Sequence, residues 1–331
     1  MAQTPTVGIV GAGFITQNVH LPVLAAMTGV RVAWIADIEQ PRAAEVGRAF
    51  RIETATLAGG PGGLPDADVL LLTVPVGARE PYHAEWARRS AAVFAEKPFA
   101  RSIEEHRRLM AGFEPSRIGC GFMRRSYAGV QSMRAIIEGG WFGLPRRISV
   151  AEGGRTTGSG SDRPFLDDPA LAGGGVLIDY GSHALDSLVY ATGATGFDVE
   201  RSAVLWDGDV DRAVAADLTL LCPGGPVPAL VEVSWIERKP NAFVIQFDRA
   251  TVTVGTAPGG PVEISGHGGE GVHATLLPHV RGATTSYQAF YLEWREFLDG
   301  WIRGEPSAYS AASCLQTTAL VEAIYREGRR G

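Results

Sequence analysis

Apolar and polar positions follow two rhythms along this chain, and the change falls near Cys120. Before it, short unbroken apolar runs alternate with amphipathic stretches. Val7–Val10, Val30–Ala36, Val69–Thr73 and Ala92–Ala95 read as strands buried on both faces; helices are predicted after Gly13 and over Pro41–Phe50 and Tyr82–Ser90. Parallel strands joined by helical crossovers produce this pattern, which predicts a doubly wound sheet. The glycine tract at 59–63 sits inside the rhythm and reads as a surface loop.

After Cys120 a helix is predicted over Tyr127–Gly139, followed by runs in which apolar and polar residues alternate. Arg147–Glu152, Ala213–Leu221, Ala229–Trp235, Phe243–Asp248 and Thr251–Gly255 each present one apolar face, as in an antiparallel sheet. Tyr287–Gly304 and Ala308–Gly328 return to helix. A length of 331 residues, at about 150 per domain, fits two domains. The expected fold class is α/β: an N-terminal Rossmann doubly wound parallel sheet over 1–122, then a C-terminal α+β domain over 123–331 with an open, mostly antiparallel sheet.

Composition narrows the partners. A formal charge of −6 offers no cationic excess to neutralise phosphate backbones, so neither nucleic acid nor an anionic membrane is expected as a partner. The most apolar stretch, Val69–Val76, is too short to cross a bilayer, and the N-terminus lacks the basic start of a signal peptide. Cys120, Cys222 and Cys314 fit neither a disulfide framework nor a zinc spacing, which points to a reducing cytoplasm. Lys plus Arg total 30, and lysine occurs only at Lys97 and Lys239, leaving 28 arginines. Such a ratio reflects coding bias, and it makes each retained lysine informative.

Three motifs carry chemistry. In Gly8–Thr16 the first predicted strand ends in Gly11-Ala12-Gly13, and Phe14 and Ile15 open a helix; Gly11 allows a tight turn, and Gly13 lets the backbone approach a pyrophosphate at the helix N-terminus. Thr16 stands where a third small residue is expected. Asp37 ends the second strand 24 positions after Gly13, placed to accept from ribose hydroxyls and to repel a 2′-phosphate; NAD is therefore the expected cofactor, with NADP the alternative through nearby Arg42. Thr73 at the end of the third run, Pro75 and His83 beyond it, and Glu96 with Lys97 complete the expected cofactor contacts; His83 is equally placed to cap its helix. Lys97 ends a buried strand, where a partly desolvated amine can carry a proton and an arginine cannot; a surface pair with Glu96 is the competing reading. In Ala172–Asp186, Asp179 and His183 lie four apart on one helical face, a spacing suited to proton handling. A solvated pair, or a metal site completed by Asp186, are the other readings, and no metal is expected. His20, His106, His267, His273 and His279 show no partner in sequence and read as structural or surface.

Together, Gly11-Ala12-Gly13 with Asp37, Glu96-Lys97-Pro98, and the Asp179/His183 helix resemble the glucose-fructose oxidoreductase/inositol dehydrogenase (Gfo/Idh/MocA) family. The resemblance extends through Gly121–Ile148 and the closing helices. It implies an NAD(P)-dependent dehydrogenase or ketoreductase acting on a secondary hydroxyl or keto carbon of a sugar, cyclitol or nucleotide-linked sugar. It also implies a homodimer or homotetramer built on the C-terminal sheet. Lys97, Asp179 and His183 fall on the family's catalytic positions, and these with Arg125 on its substrate pocket; Arg124, Arg155, Arg163 and Asp168 are further pocket candidates. The sequence departs from the family pattern at Thr16, at the extended Val76–Tyr82 segment and at Pro164–Asp168. Gly154–Arg163 reads as a loop that orders over a ligand or as plain surface. Two rival functions are a catalytically silent dinucleotide sensor and a redox-assisted glycoside-cleaving enzyme.

Overall fold

In the computed structural model, which describes residues 4–154, 164–268, 273–276 and 282–329, the early apolar runs assemble into one sheet. Its strands are β1 (Thr6–Val10), β2 (Arg31–Ala36), β3 (Glu53–Thr54), β4 (Val69–Leu72), β5 (Ala92–Glu96) and β6 (Ile118–Gly121). They lie in the order β3-β2-β1-β4-β5-β6 and every pairing is parallel. Strand order reverses between β1 and β4, and ligands of such sheets bind in the crevice outside the carboxyl ends at that reversal. Helices α1 (Leu21–Ala26), α2 (Gln40–Phe50), α3 (Glu80–Arg88) and α4 (Ile103–Met110) connect the strands. A π-helical turn, Thr16–His20, leads into α1. Two strands of this sheet escaped the sequence pattern: β3 has only two residues, and the glycines of β6 break its apolar run.

The later chain contributes α5 (Ala128–Glu138), β7 (Pro145–Gly153), α6 (Pro169–Ala172) and α7 (Ser182–Thr192). There follow β8 (Gly196–Asp207), β9 (Val210–Cys222), β10 (Gly225–Ser234), β11 (Ala242–Phe247), β12 (Ala250–Gly255), β13 (Val262–Gly266) and β14 (His273–Leu276), then α8 (Ser286–Arg303) and α9 (Leu315–Gly328). The eight-stranded order is β14-β13-β12-β11-β7-β10-β9-β8, antiparallel except where β7 meets β10. Val227, Ala229, Val231 and Val233 of β10 are buried on one face, and the intervening residues are open or half-buried, as the alternation predicts.

Two compact units result: Met1–Phe122 with Phe290–Leu315, and Met123–Ala289 with Gln316–Gly331. The sequence reading gave all of 123–331 to the second domain. Phe290–Leu315 belongs instead with the first unit, where Trp294 and Phe297 lie against Phe94 with ring centroids 4.7 Å away in each case. Helical periodicity shows that a helix has an apolar face; it does not show which core receives it.

Candidate active site

The turn after β1 is built for close approach. Gly11 takes φ +107°, and a Cβ there would lie 2.3 Å from Thr73 Oγ1. A Cβ on Gly13 would meet nothing within 4 Å, so the backbone faces open space at the start of a helix, the arrangement a pyrophosphate needs. Thr16 is buried, and its hydroxyl donates to the Gly11 carbonyl (2.7 Å) and bonds Thr73 Oγ1 (2.8 Å), so this departure from the family pattern braces the turn. Phe14 is exposed beside it and Ile15 half-buried. Asp37 Oδ2 accepts the Ala12 amide at 2.6 Å, and Oδ1 accepts the Glu39 amide at 2.8 Å; Arg42 stands 3.4 Å from Oδ1. The carboxylate thus holds the glycine turn and keeps a lone pair on Oδ2 for a ribose hydroxyl. These residues fit a dinucleotide, with Thr73 and Pro75 half-buried after β4 on the same edge of the sheet.

Beyond β5, half-buried Lys97 follows Glu96. Glu96 Oε2 accepts the Lys97 amide (3.1 Å), and Oε1 bonds His20 Nε2 (2.8 Å). Trp294 Nε1 donates to His20 Nδ1 at 2.9 Å. An indole can only donate, so Nδ1 is the acceptor and Nε2 carries the hydrogen that reaches Glu96. Burial opposes ionisation of Glu96, but the His20 bond and the charges of Lys97 and Arg79 hold its carboxyl below the usual range. The carboxylate expected at the cofactor therefore has both oxygens engaged in fixing the turn. Buried Arg79, in the segment that departs from the family pattern, donates to the carbonyls of Val74, Glu96 and Pro98.

In the second unit, the stretch bearing Asp179 differs from the expected α-helix. Leu177–Gly181 is a π-helical turn with i→i+5 bonding, and α7 begins only at Ser182. Asp179 is half-buried and His183 is 6% exposed. The turn is anchored by buried Asp211, which accepts the Gly175 amide (2.5 Å), the Leu177 amide (2.8 Å) and the Tyr325 hydroxyl (2.7 Å). Arg124 forms a two-bond pair with Glu152 at 2.7 and 2.8 Å. Burial disfavours its charge, but the Glu152 bonds and the nearby charge of Asp179 raise its pKa.

Two assignments are corrected. Arg125, expected at the substrate, is 2% exposed and locked to Asp186 through Nε–Oδ2 (2.8 Å) and Nη2–Oδ1 (2.5 Å); Thr317 donates to the same carboxylate at 3.0 Å. That pairing also removes Asp186 as a metal ligand. His83, expected at the cofactor, is 1% exposed and edge-on to the rings of Phe99 and Phe113. Among the described residues, no three His, Cys, Asp or Glu could hold a metal ion, and no helix is long and apolar enough to cross a membrane. Arg155, Arg163 and most of Gly154–Arg163 lie outside the described residues.

Arg79, His20, Trp294 and Asp211 were missed. Trp294 is 274 positions from His20, so no local spacing could reveal the contact. Arg79 looks like any other of 28 arginines.

Residues 6–116 match the oxidoreductase family with the NAD-binding Rossmann fold, and residues 130–253 match the GFO/IDH/MocA C-terminal domain. Inositol 2-dehydrogenase 3 of Saccharopolyspora erythraea is 26% identical over 308 residues, covering 80% of this chain and 89% of that protein. The aldose-aldose oxidoreductase of Caulobacter crescentus, solved with glycerol, superposes with TM-score 0.85 at 20% identity over 99% of this chain and 98% of that one. Levoglucosan dehydrogenase with NADH and L-sorbose gives 0.85 at 19% identity, covering 99% and 97%. These two solved structures share the fold. The chain belongs to the Gfo/Idh/MocA family of NAD(P)-dependent oxidoreductases.

Proposed function

We propose that this enzyme interconverts a secondary hydroxyl and a ketone on a sugar, cyclitol or nucleotide-linked sugar, using NAD in preference to NADP. The observation that carries the reading is half-buried Lys97 at the carboxyl end of β5, on the ligand-binding edge of a dinucleotide fold. Bound NAD supplies the electron acceptor or donor for the reacting carbon. His183 takes the hydroxyl proton in oxidation and returns it in reduction. Lys97 Nζ donates a hydrogen bond to the same oxygen and stabilises its developing negative charge. Asp179 holds a neighbouring hydroxyl of the substrate. The carboxylate of Asp37, fixed by two backbone amides, disfavours a 2′-phosphate. The open face of the eight-stranded sheet is the proposed homodimer or homotetramer surface, and the unpatterned cysteines support a cytoplasmic setting.

The test is turnover of a polyol, cyclitol and ketose panel followed by nicotinamide absorbance. Lys97→Met and His183→Ala are each expected to lower kcat by about 10²-fold or more, the scale of a lost acid-base group. Near-normal turnover in either variant removes that residue from the chemistry. Cofactor binding without turnover across the panel favours a sensor, and glycoside cleavage without net cofactor change favours the redox-assisted route.

A further inference from the structure

The turn that carries Lys97 is held by a side chain from another loop. Arg79 Nη1 donates to the carbonyls of both Glu96 and Pro98, the latter at 2.5 Å, and Nε donates to the Val74 carbonyl at 2.9 Å. The two carbonyls on Nη1 bracket Lys97. Their hydrogen bonds close a ring around the backbone torsions of Lys97 and Pro98, and the third bond ties that ring to the end of β4. Among the described residues, the hydrogen-bond partners of the Arg79 guanidinium are these three carbonyls, and the residue is 2% exposed. Burial lowers its pKa to about 10, against the nearby carboxylates of Glu96 and Glu105. A methionine would fill the same space without desolvating a cation, and a lysine would lack the planar fork that serves two loops at once.

We propose that Arg79 is a positioning residue for Lys97: its guanidinium fixes the Glu96–Pro98 turn and couples it to the loop after β4. The inference rests on the assignment of Lys97 to proton handling, and the experiment separates the two. The chain has only two lysines, Lys97 and Lys239, so isotope-labelled lysine gives one side-chain NMR resonance for each, assigned with Lys239→Arg. Arg79→Met where it folds, and Arg79→Lys with its added third resonance assigned in the Lys97→Met background, are expected to move the Lys97 resonance and leave that of Lys239 in place. Arg79→Lys is expected to lower kcat about 10-fold with little change in NADH affinity, and to add no further loss in a Lys97→Met background, because residues acting as a unit are not additive. An unmoved Lys97 resonance with wild-type kcat in Arg79→Lys overturns the proposal. So do equal losses of kcat in both backgrounds, which mark a general structural role. Near-normal turnover of Lys97→Met, with its folded state intact, instead removes the catalytic assignment of Lys97; the NMR result then decides alone whether Arg79 fixes the turn.

Discussion

His83 lies between Phe99 and Phe113 with ring centroids 5.6 and 6.1 Å away, and its surroundings decide its protonation. Burial first, then the Arg79 cation and His106, push its pKa from 6.5 down to about 3, against the hydrogen bond that the protonated ring donates to the Leu109 backbone. Above pH 6.5 both folded and unfolded chains hold a neutral imidazole, so the full contribution is present there. As pH falls from 6.5 toward 3, the unfolded chain binds a proton that the folded one refuses, and stability is lost. The slope is about 1.4 kcal/mol per pH unit for one proton. His83→Phe should remove that slope and fits the same aromatic setting; urea unfolding across this range measures it. An unchanged slope in the variant would place the proton uptake elsewhere. The residue scale also shows what sequence can name. Lys97 stands out by type, and Gly11, Gly13 and Asp37 by spacing. His83 and Arg125 carry the same letters whether they face a ligand or a core, because burial depends on residues far away in sequence.

At the scale of elements, each unit starts a helix with a π-helical turn, Thr16–His20 in one and Leu177–Gly181 in the other. The Asp179/His183 pair was legible as a helical motif, but its α-helical register was not, since composition does not separate i→i+4 from i→i+5 bonding. Strand β8 was missed because it lies at the edge of the sheet, where charged residues interrupt the alternation. Asp211 explains how the π-helical turn is held, since its carboxylate meets the amides at the start of the Asp179 helix and favours the helix dipole. In Asp211→Asn, one carboxylate oxygen becomes an amide that cannot accept from both backbone donors and Tyr325. A buried unsatisfied group costs about 1–3 kcal/mol. The expected result is that loss in chemical denaturation, together with lower kcat, while NADH affinity stays near wild type because the glycine turn and Asp37 belong to the other unit. A variant as stable as wild type would mean that Asp211 does not anchor the turn.

For the whole molecule, the order of a parallel Rossmann sheet followed by a mostly antiparallel one was readable from periodicity, and the path of the chain between units was not. The chain returns to its first unit at Phe290–Leu315, and that return supplies part of the first core. Trp294 and Phe297 pack on Phe94, the Tyr309 carbonyl accepts the Cys120 amide at 2.9 Å, and the Ala311 carbonyl bonds His106 at 3.0 Å. Trp294 also completes the His20–Glu96 chain behind Lys97. A fragment ending at Phe122 keeps every strand of the parallel sheet but loses these partners. Removing even one such aromatic from a core costs about 3–5 kcal/mol, and the missing segment removes several, against a total stability of about 5–15 kcal/mol. The fragment 1–122 is therefore expected to show no cooperative thermal transition and to bind NADH poorly. Joining 290–315 to it through a flexible linker should restore both, while a sharp transition in 1–122 alone would show that the first unit folds without the returning segment.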